Sequence, residues 1–258
     1  MHRPRREFTV FSLAAIDLFC SAMGAFMIIS IILTPYFRNQ QNHAPQQEIA
    51  KLKEQLSRSS SLALFGIVTQ AKSIAVVVDL SGSIDALDTY QPHDPKNKDY
   101  RPQVRKVCGT IIDGMTGAQT LQIIGFHSPP PSYAPDLPVW RSSPVPMDAA
   151  GQTGAKEFVE QLLKNVAGGT PTRQALHQAL AQNVEAIFLI TDGAPNEGER
   201  QDQALCDEIV KDITAQNGGK KEIHCIGVGE YNSEPYCVDF MQQLSKQNRG
   251  QFLGMPDL

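Results

Sequence analysis

The chain has 258 residues, 41% of them hydrophobic and 19% charged, with 23 Lys and Arg against 27 Asp and Glu for a net charge of −4. A mean hydropathy of −0.24 excludes a polytopic membrane protein. The acidic balance gives no support to nucleic-acid binding, which uses a basic surface, and five cysteines are too few for a disulfide scaffold.

Those averages cover unlike parts. After a tail at residues 1–9, Val10 to Leu33 reads VFSLAAIDLFCSAMGAFMIISIIL with one charge, Asp17. As a helix this stretch is about 36 Å long, enough for a bilayer core of about 30 Å. A cleaved signal peptide has a shorter apolar region that ends at a small-residue site. Here the run continues to Leu33 and stops at Thr34-Pro35-Tyr36-Phe37, so residues 10–34 read as an uncleaved transmembrane helix. Cys20 lacks the setting of a lipidation site, since Asp17 precedes it and more apolar helix follows. Arg3, Arg5 and Arg6 precede the span and only Arg38 follows closely. The positive-inside rule then gives a single pass through the cytoplasmic (inner) membrane, N-terminus in, with residues 35–258 extracytoplasmic or periplasmic.

A carboxylate in hydrocarbon costs at least ~2.5 kcal/mol, so Asp17 should face protein or water. Ala14, Cys20, Ser21 and Gly24 fall on its helical face and form a small, weakly polar stripe. Such a face packs closely against partner helices, and a titratable group on it is a proton-carrying candidate. The alternative is an Asp17 near the inner interface, paired with an arginine. An Arg-bearing tail, one helix with an Asp in its first third and an outer domain resemble the flagellar-motor stator and ExbD-type energiser subunits. The resemblance covers residues 1–34. It implies a proton-carrying Asp17, self-association as a dimer and a polytopic membrane subunit forming a stator ring. Stator-like complexes also occur in antiphage defence, although no residue here points to that process.

Residues 35–61 are rich in Gln, Asn and Ser. Ile49, Leu52 and Leu56 place one apolar stripe on a helix of about three turns, which suits either a short parallel coiled coil or a solvated linker helix. From residue 62 the pattern alternates. LALFGIV (62–68) is a short apolar run that adds an early strand. SIAVVVDL (73–80) has the β-branched continuity of a strand buried on both faces. Helix is expected over 101–115, strand over 121–126, and helix over 154–166 and 172–182. Strand follows over 186–190, helix over 200–218 closed by Gly218, strand over 222–229, helix over 235–248 and strand over 251–255. This alternation predicts an α/β fold, a doubly wound, mostly parallel sheet that binds ligands at the carboxyl ends of its strands.

The chemistry gathers at those ends. Asp79-Leu80-Ser81-Gly82-Ser83 follows the first long strand, Thr191-Asp192-Gly193 follows AIFLI, and Gly168-Gly169-Thr170-Pro171-Thr172 opens a helix between them. Two carboxylates and three hydroxyls are hard oxygen donors of the kind that Mg²⁺ takes. Together the three motifs resemble the metal-ion-dependent adhesion site of von Willebrand factor A (VWA) domains, over about residues 62–258. The resemblance implies a Rossmann-like VWA fold and Mg²⁺ (or Mn²⁺ or Ca²⁺) held by Asp79, Ser81, Ser83, Thr170 and Asp192. It further implies an extracytoplasmic protein or envelope ligand whose acidic group completes the coordination. Thr170 is preferred to Thr172 because it directly follows the glycine pair.

No P-loop, G-x-S-x-G or metal-spaced His pair is present, so no enzymatic activity is expected. His224 reads as a core residue and His127 as a residue beside the rim, within reach of a ligand. The polar stretch Asp85–Pro102 should lie near the metal rim. Ser128–Asp148, with seven prolines and the only tryptophan, Trp140, reads either as a stiff meander with one edge strand or as a partner surface anchored by Trp140. Cys108, Cys206, Cys225 and Cys237 suit either a disulfide or small buried thiols. The leading expectation is an ion-conducting, ligand-engaging subunit of a proton-driven stator-like complex. The competing one is a passive, membrane-anchored, metal-dependent adhesion or scaffold module.

Overall fold

A computed structural model describes residues 62–85 and 98–255, together with Leu18, Cys20 and residues 23–27. The chain divides into two units, Met1–Arg58 and Ser59–Leu258. In the first, Leu18, Cys20 and residues 23–27 are helical; the remainder of the expected span 10–34, Asp17 included, and the connector 35–61 lie outside the described residues. Among the described residues no helix is long and apolar enough to cross a membrane.

The second unit begins with a hairpin, β1 (Leu62–Leu64) and β2 (Ile67–Thr69), paired antiparallel. Its two turn residues, Phe65 and Gly66, both have positive φ, 51° and 91°. Two-residue hairpin turns demand that backbone, and glycine adopts it without strain. The early strand expected over 62–68 is therefore a two-stranded hairpin separate from the main sheet.

The main sheet grows from β3 (Ser73–Asp79). This strand pairs parallel with β4 (Thr120–Phe126) on one side and with β6 (Ala186–Thr191) on the other. Beyond β6 lie β7 (Glu222–Gly227) and β8 (Phe252–Gly254), both parallel. Beyond β4 lies β5 (Val145–Pro146), the one antiparallel member of the sheet. The order β5-β4-β3-β6-β7-β8 has its reversal at β3, since the chain runs outward to β4 and then crosses back to β6. At that switch point the loops after neighbouring strands diverge and leave a crevice.

Helices cover both faces, as the continuous apolar strands require. Ile74, Val76 and Val78 pack against α1 (Arg101–Gly114) and α2 (Ala149–Leu162). Ala75 and Val77 face α3 (Thr172–Ala181), α4 (Gln203–Asn217) and α5 (Pro235–Gln247). The period of two along β3 thus feeds two separate cores.

Two helix starts differ from the sequence reading. α2 begins five residues before the expected Gly154, because Asp148 caps it and accepts a hydrogen bond from the Gly151 amide at 2.8 Å. α4 begins at Gln203 rather than residue 200, because Asp202 caps it through the Leu205 amide at 2.7 Å. Gly218 ends α4 in the left-handed conformation, as expected. The proline-rich segment is a meander with one edge strand, β5. Its Trp140 is half-buried against the core, with the ring close to Gly154, so the ring is spent on packing rather than held out as an anchor. Cys108, Cys206, Cys225 and Cys237 are buried free thiols, and burial pushes Cys108 and Cys225 up to about 12. They are small core residues rather than a disulfide.

His224, in β7, is 2% exposed, stacks on Phe188 with ring centroids 4.7 Å apart, and accepts the Gln251 amide at Nδ1. Burial holds its imidazole below the ordinary value, against the opposing pull of Glu222. The unfolded chain therefore binds a proton at this position that the folded domain resists, and this contribution to stability is lost as pH falls below about 6.5. Urea unfolding of the chain at pH 7 and pH 5 should show a larger drop in midpoint for the wild type than for His224→Gln.

Candidate functional site

The carboxyl ends of β3 and β6 lie side by side at the switch point, and each delivers one carboxylate. Asp79 is the last residue of β3 and is 1% exposed; Asp192 follows the last residue of β6 and is 7% exposed. Thr191 donates its hydroxyl to Asp79 Oδ2 at 2.6 Å, and the Ser81 amide donates to Asp79 Oδ1 at 2.9 Å. A chain of hydroxyls then leads to the second acid. Ser81 and Ser83 Oγ atoms are 3.0 Å apart, and Ser83 donates to Asp192 Oδ1 at 3.2 Å. The 3-10 turn Gly82–Ile84 folds this segment back, which lets both serines join one cluster. Ser83 is the exposed member and marks where the cluster opens to solvent.

The third motif is laced to both others through the backbone. The Ala167 amide donates to the Leu80 carbonyl at 2.9 Å, and the Gly82 amide donates to the Gly168 carbonyl at 2.8 Å. On the other side, the Thr170 amide donates to Asn196 Oδ1 at 2.9 Å, and the Asn196 amide donates back to the Thr170 carbonyl at 3.1 Å. The glycine pair is sterically required. Gly168 has φ +75°, and a Cβ there would meet the Ser128 carbonyl oxygen at 1.9 Å; one on Gly169 would meet Asn196 Oδ1 at 2.6 Å. Thr170 and Thr172 differ in their surroundings. Thr172 is 1% exposed and donates its hydroxyl to the Thr170 carbonyl at 3.4 Å, whereas the Thr170 hydroxyl makes no hydrogen bond among the described residues.

Burial dominates the electrostatics of this cluster. Burial holds Asp79 above the usual carboxylate range, and the hydrogen bonds from Thr191 and Ser81 only partly offset it. Burial also raises Asp192, and the neighbouring charge of Asp79 raises it further. Among the described residues no lysine or arginine pairs with either acid. Two desolvated carboxylates that repel each other are unfavourable unless a cation joins them.

The donor set fits a hard divalent cation: two carboxylates and three hydroxyls, all oxygen, as Mg²⁺, Mn²⁺ or Ca²⁺ prefer. Among the described residues no group of three or more His, Cys, Asp or Glu side chains suits a metal; this candidate set contains only two acids and relies on hydroxyls for the rest. His127 lies close enough to act electrostatically on Asp79. It is buried, with Nε2 3.2 Å from Asp136 Oδ2, and so is not presented to a ligand. Residues 86–97 of the polar stretch lie outside the described residues. Its two ends meet beside the site, through the Tyr100 amide on the Ile84 carbonyl at 3.0 Å and an Arg101–Asp85 ion pair at 3.1 Å. Sequence reasoning gave no role to Thr191, which orients Asp79, or to Asn196, which holds Thr170. The T-D-G motif contained the first; the second carries no signal in a single sequence.

A doubly wound sheet with three oxygen-bearing motifs at its switch point is the arrangement of one large class of ligand-binding domains. The family model described as von Willebrand factor type A domain matches residues 98–252, and the chain belongs to that family. Among curated proteins it is similar to inter-alpha-trypsin inhibitor heavy chain H1 of Mesocricetus auratus, 22% identical over 197 residues. That match covers 71% of this chain and only 18% of the relative. Among solved structures it is similar to the pilus adhesin SpaC from Lactobacillus rhamnosus GG (TM-score 0.50, 16% identity), covering 72% of this chain and 28% of that one. It is also similar to the PilB minor pilin from Streptococcus sanguinis (TM-score 0.50, 14% identity), covering 72% and 56%. At these identities the structural likenesses speak for the fold alone.

The buried acid makes a prediction that needs no ligand. In a chelating buffer at neutral pH, Asp192→Asn should raise the stability of the chain by roughly 1 kcal/mol, because a neutral amide avoids the cost that burial, and secondarily the Asp79 charge, imposes on the ionisable carboxyl. Thermal unfolding is the readout, and a lower melting temperature would contradict the electrostatic account.

Proposed function

We propose that this protein is a non-enzymatic binding module that engages an acidic group of a protein or envelope ligand through a divalent cation. One observation carries the reading: two buried, mutually repelling carboxylates joined by a chain of hydroxyls at the switch point of the sheet. Asp79, Ser81, Ser83, Thr170 and Asp192 would hold the cation. Once bound, it would offer the partner's carboxylate a coordination position. Thr191 fixes the Asp79 carboxylate from behind, and Asn196 fixes the backbone of Thr170. The opening at Ser83 is the side from which a ligand approaches.

Calorimetry of the full chain in mild detergent, titrated with Mg²⁺ or Mn²⁺, tests this directly. Wild type should bind one ion, and Ser81→Ala/Ser83→Ala should lose binding at least tenfold. Saturating metal should raise the melting temperature of the wild type only; at 100 times Kd the stabilisation is about 2.7 kcal/mol. No heat and no thermal shift with any of Mg²⁺, Mn²⁺ and Ca²⁺ would end the metal reading.

A second reading concerns the N-terminal part. Leu18, Met23, Phe26 and Met27 are large apolar side chains between 57% and 73% exposed, which favours burial in lipid or against other helices. We propose an inner-membrane anchor with the domain outside. In the fuller form of this reading Asp17 carries protons in a dimer within a polytopic, stator-like partner. Asp17→Asn should then abolish proton flux and complex-dependent activity, while a multi-span subunit still co-purifies. Unchanged flux, or a chain that purifies alone, leaves a passive anchor.

A further inference from the structure

A cavity of about 1060 Å³ adjoins the rim, and Gly168, Gly169 and Asn196, which position Thr170, form one of its walls. It therefore borders the Thr170 loop, while none of the candidate cation ligands lines it. Tyr133, Pro135 and Pro171 line it with carbon surface, while Glu197 and Glu199 line it with carboxylates.

The cavity's one cation is already engaged. Arg173 donates from Nε to Glu197 at 2.6 Å and lies 3.7 Å from both Glu208 and Asp212. Arg200, nearby, is likewise taken up by Glu208 at 2.8 Å and Asp202 at 3.6 Å. Two guanidiniums thus meet Glu197, Asp202, Glu208 and Asp212, with His177 also 2.7 Å from Asp212, and Glu199 adds a further negative charge. Glu199 is exposed and forms no ion pair among the described residues. Gln174, also on the wall, has an amide oxygen that is buried without a hydrogen-bond partner.

An anion is repelled by this surplus, and a purely apolar group would desolvate the carboxylates without pairing them. A long basic side chain meets every demand. Its methylenes lie along the prolines and the Tyr133 ring, and its head reaches the Glu197 and Glu199 carboxylates. We propose that the cavity receives a lysine or arginine side chain of the partner protein, close in sequence to the acidic residue that completes the cation site. This rests on the metal-dependent reading above and adds to it the partner's second recognition element.

The test uses two fluorescent peptide pools of equal length, each peptide with one Asp. The variable positions are enriched in Lys in one pool and in Glu in the other. Binding to the full chain in mild detergent with Mn²⁺ is read by polarisation. The Lys pool should bind about fivefold or more tightly than the Glu pool, and the preference should shrink at high salt. Glu199→Lys, an exposed change whose folding is checked by thermal unfolding, should reduce or invert it. Equal binding of the two pools, a Glu preference, or no binding of either overturns the cavity assignment. Ser81→Ala/Ser83→Ala judges the other claim. Loss of both pools there supports the joint reading, whereas a Lys preference that persists removes the metal and leaves the cavity standing.

Discussion

Two carboxylates held out of water at adjacent strand ends set the terms for the upper rim of this domain. Asp79 and Asp192 sit where β3 and β6 part company, and each is less acidic than usual because burial disfavours its charge. Everything around them moderates that cost. Thr191 and the Ser81 amide donate to one acid, Ser83 donates to the other, and Ser81 links the two halves. The glycine pair brings the Thr170 loop against the Ser81 turn, and Asn196 holds that loop from the far side. A site built on repulsion keeps its shape only because the sheet below it is rigid, with Ile74–Val78 buried on both faces.

Much of this was legible in the sequence, for a physical reason. A strand covered on both faces has no polar positions to spare, so SIAVVVD announces itself, and its alternation with amphipathic helices leaves few topologies. The three oxygen-bearing motifs were visible because each follows or precedes such an element. The helix starts at Asp148 and Asp202 were less so. A cap acts through one side-chain bond and overrides a weakly apolar first turn such as Ala149–Gly154. Asn196 was beyond reach, since its partner Thr170 lies 26 residues away and the bond runs to backbone. The sequence left Trp140 between two roles, because an aromatic in a proline-rich stretch looks the same whether it awaits a partner or packs at home.

The two cores also differ in composition. The face of α1 and α2 is mostly aliphatic, with the Phe188 ring, Met115, Met147 and a single cysteine, Cys108. The face of α3, α4 and α5 contains Cys206, Cys225 and Cys237 and the Phe126 and Phe240 rings. The candidate site and its adjoining cavity draw on the second face, through the start of α3 and the loop from Asp192 to Arg200. The Ser81–Ser83 turn, by contrast, is anchored in the first face through Leu80 and Ile84, so both cores reach the candidate site.

The clasp formed by Tyr100 on Ile84 and by Arg101 on Asp85 has a consequence for how such a domain diversifies. It closes residues 86–97 at their base, so the chain leaves and rejoins the scaffold at neighbouring points. The entropic cost of a closed segment grows only with the logarithm of its length. Insertions or deletions between those two points therefore cost the sheet little, and the points themselves lie next to Ser83 in the chain, at the rim.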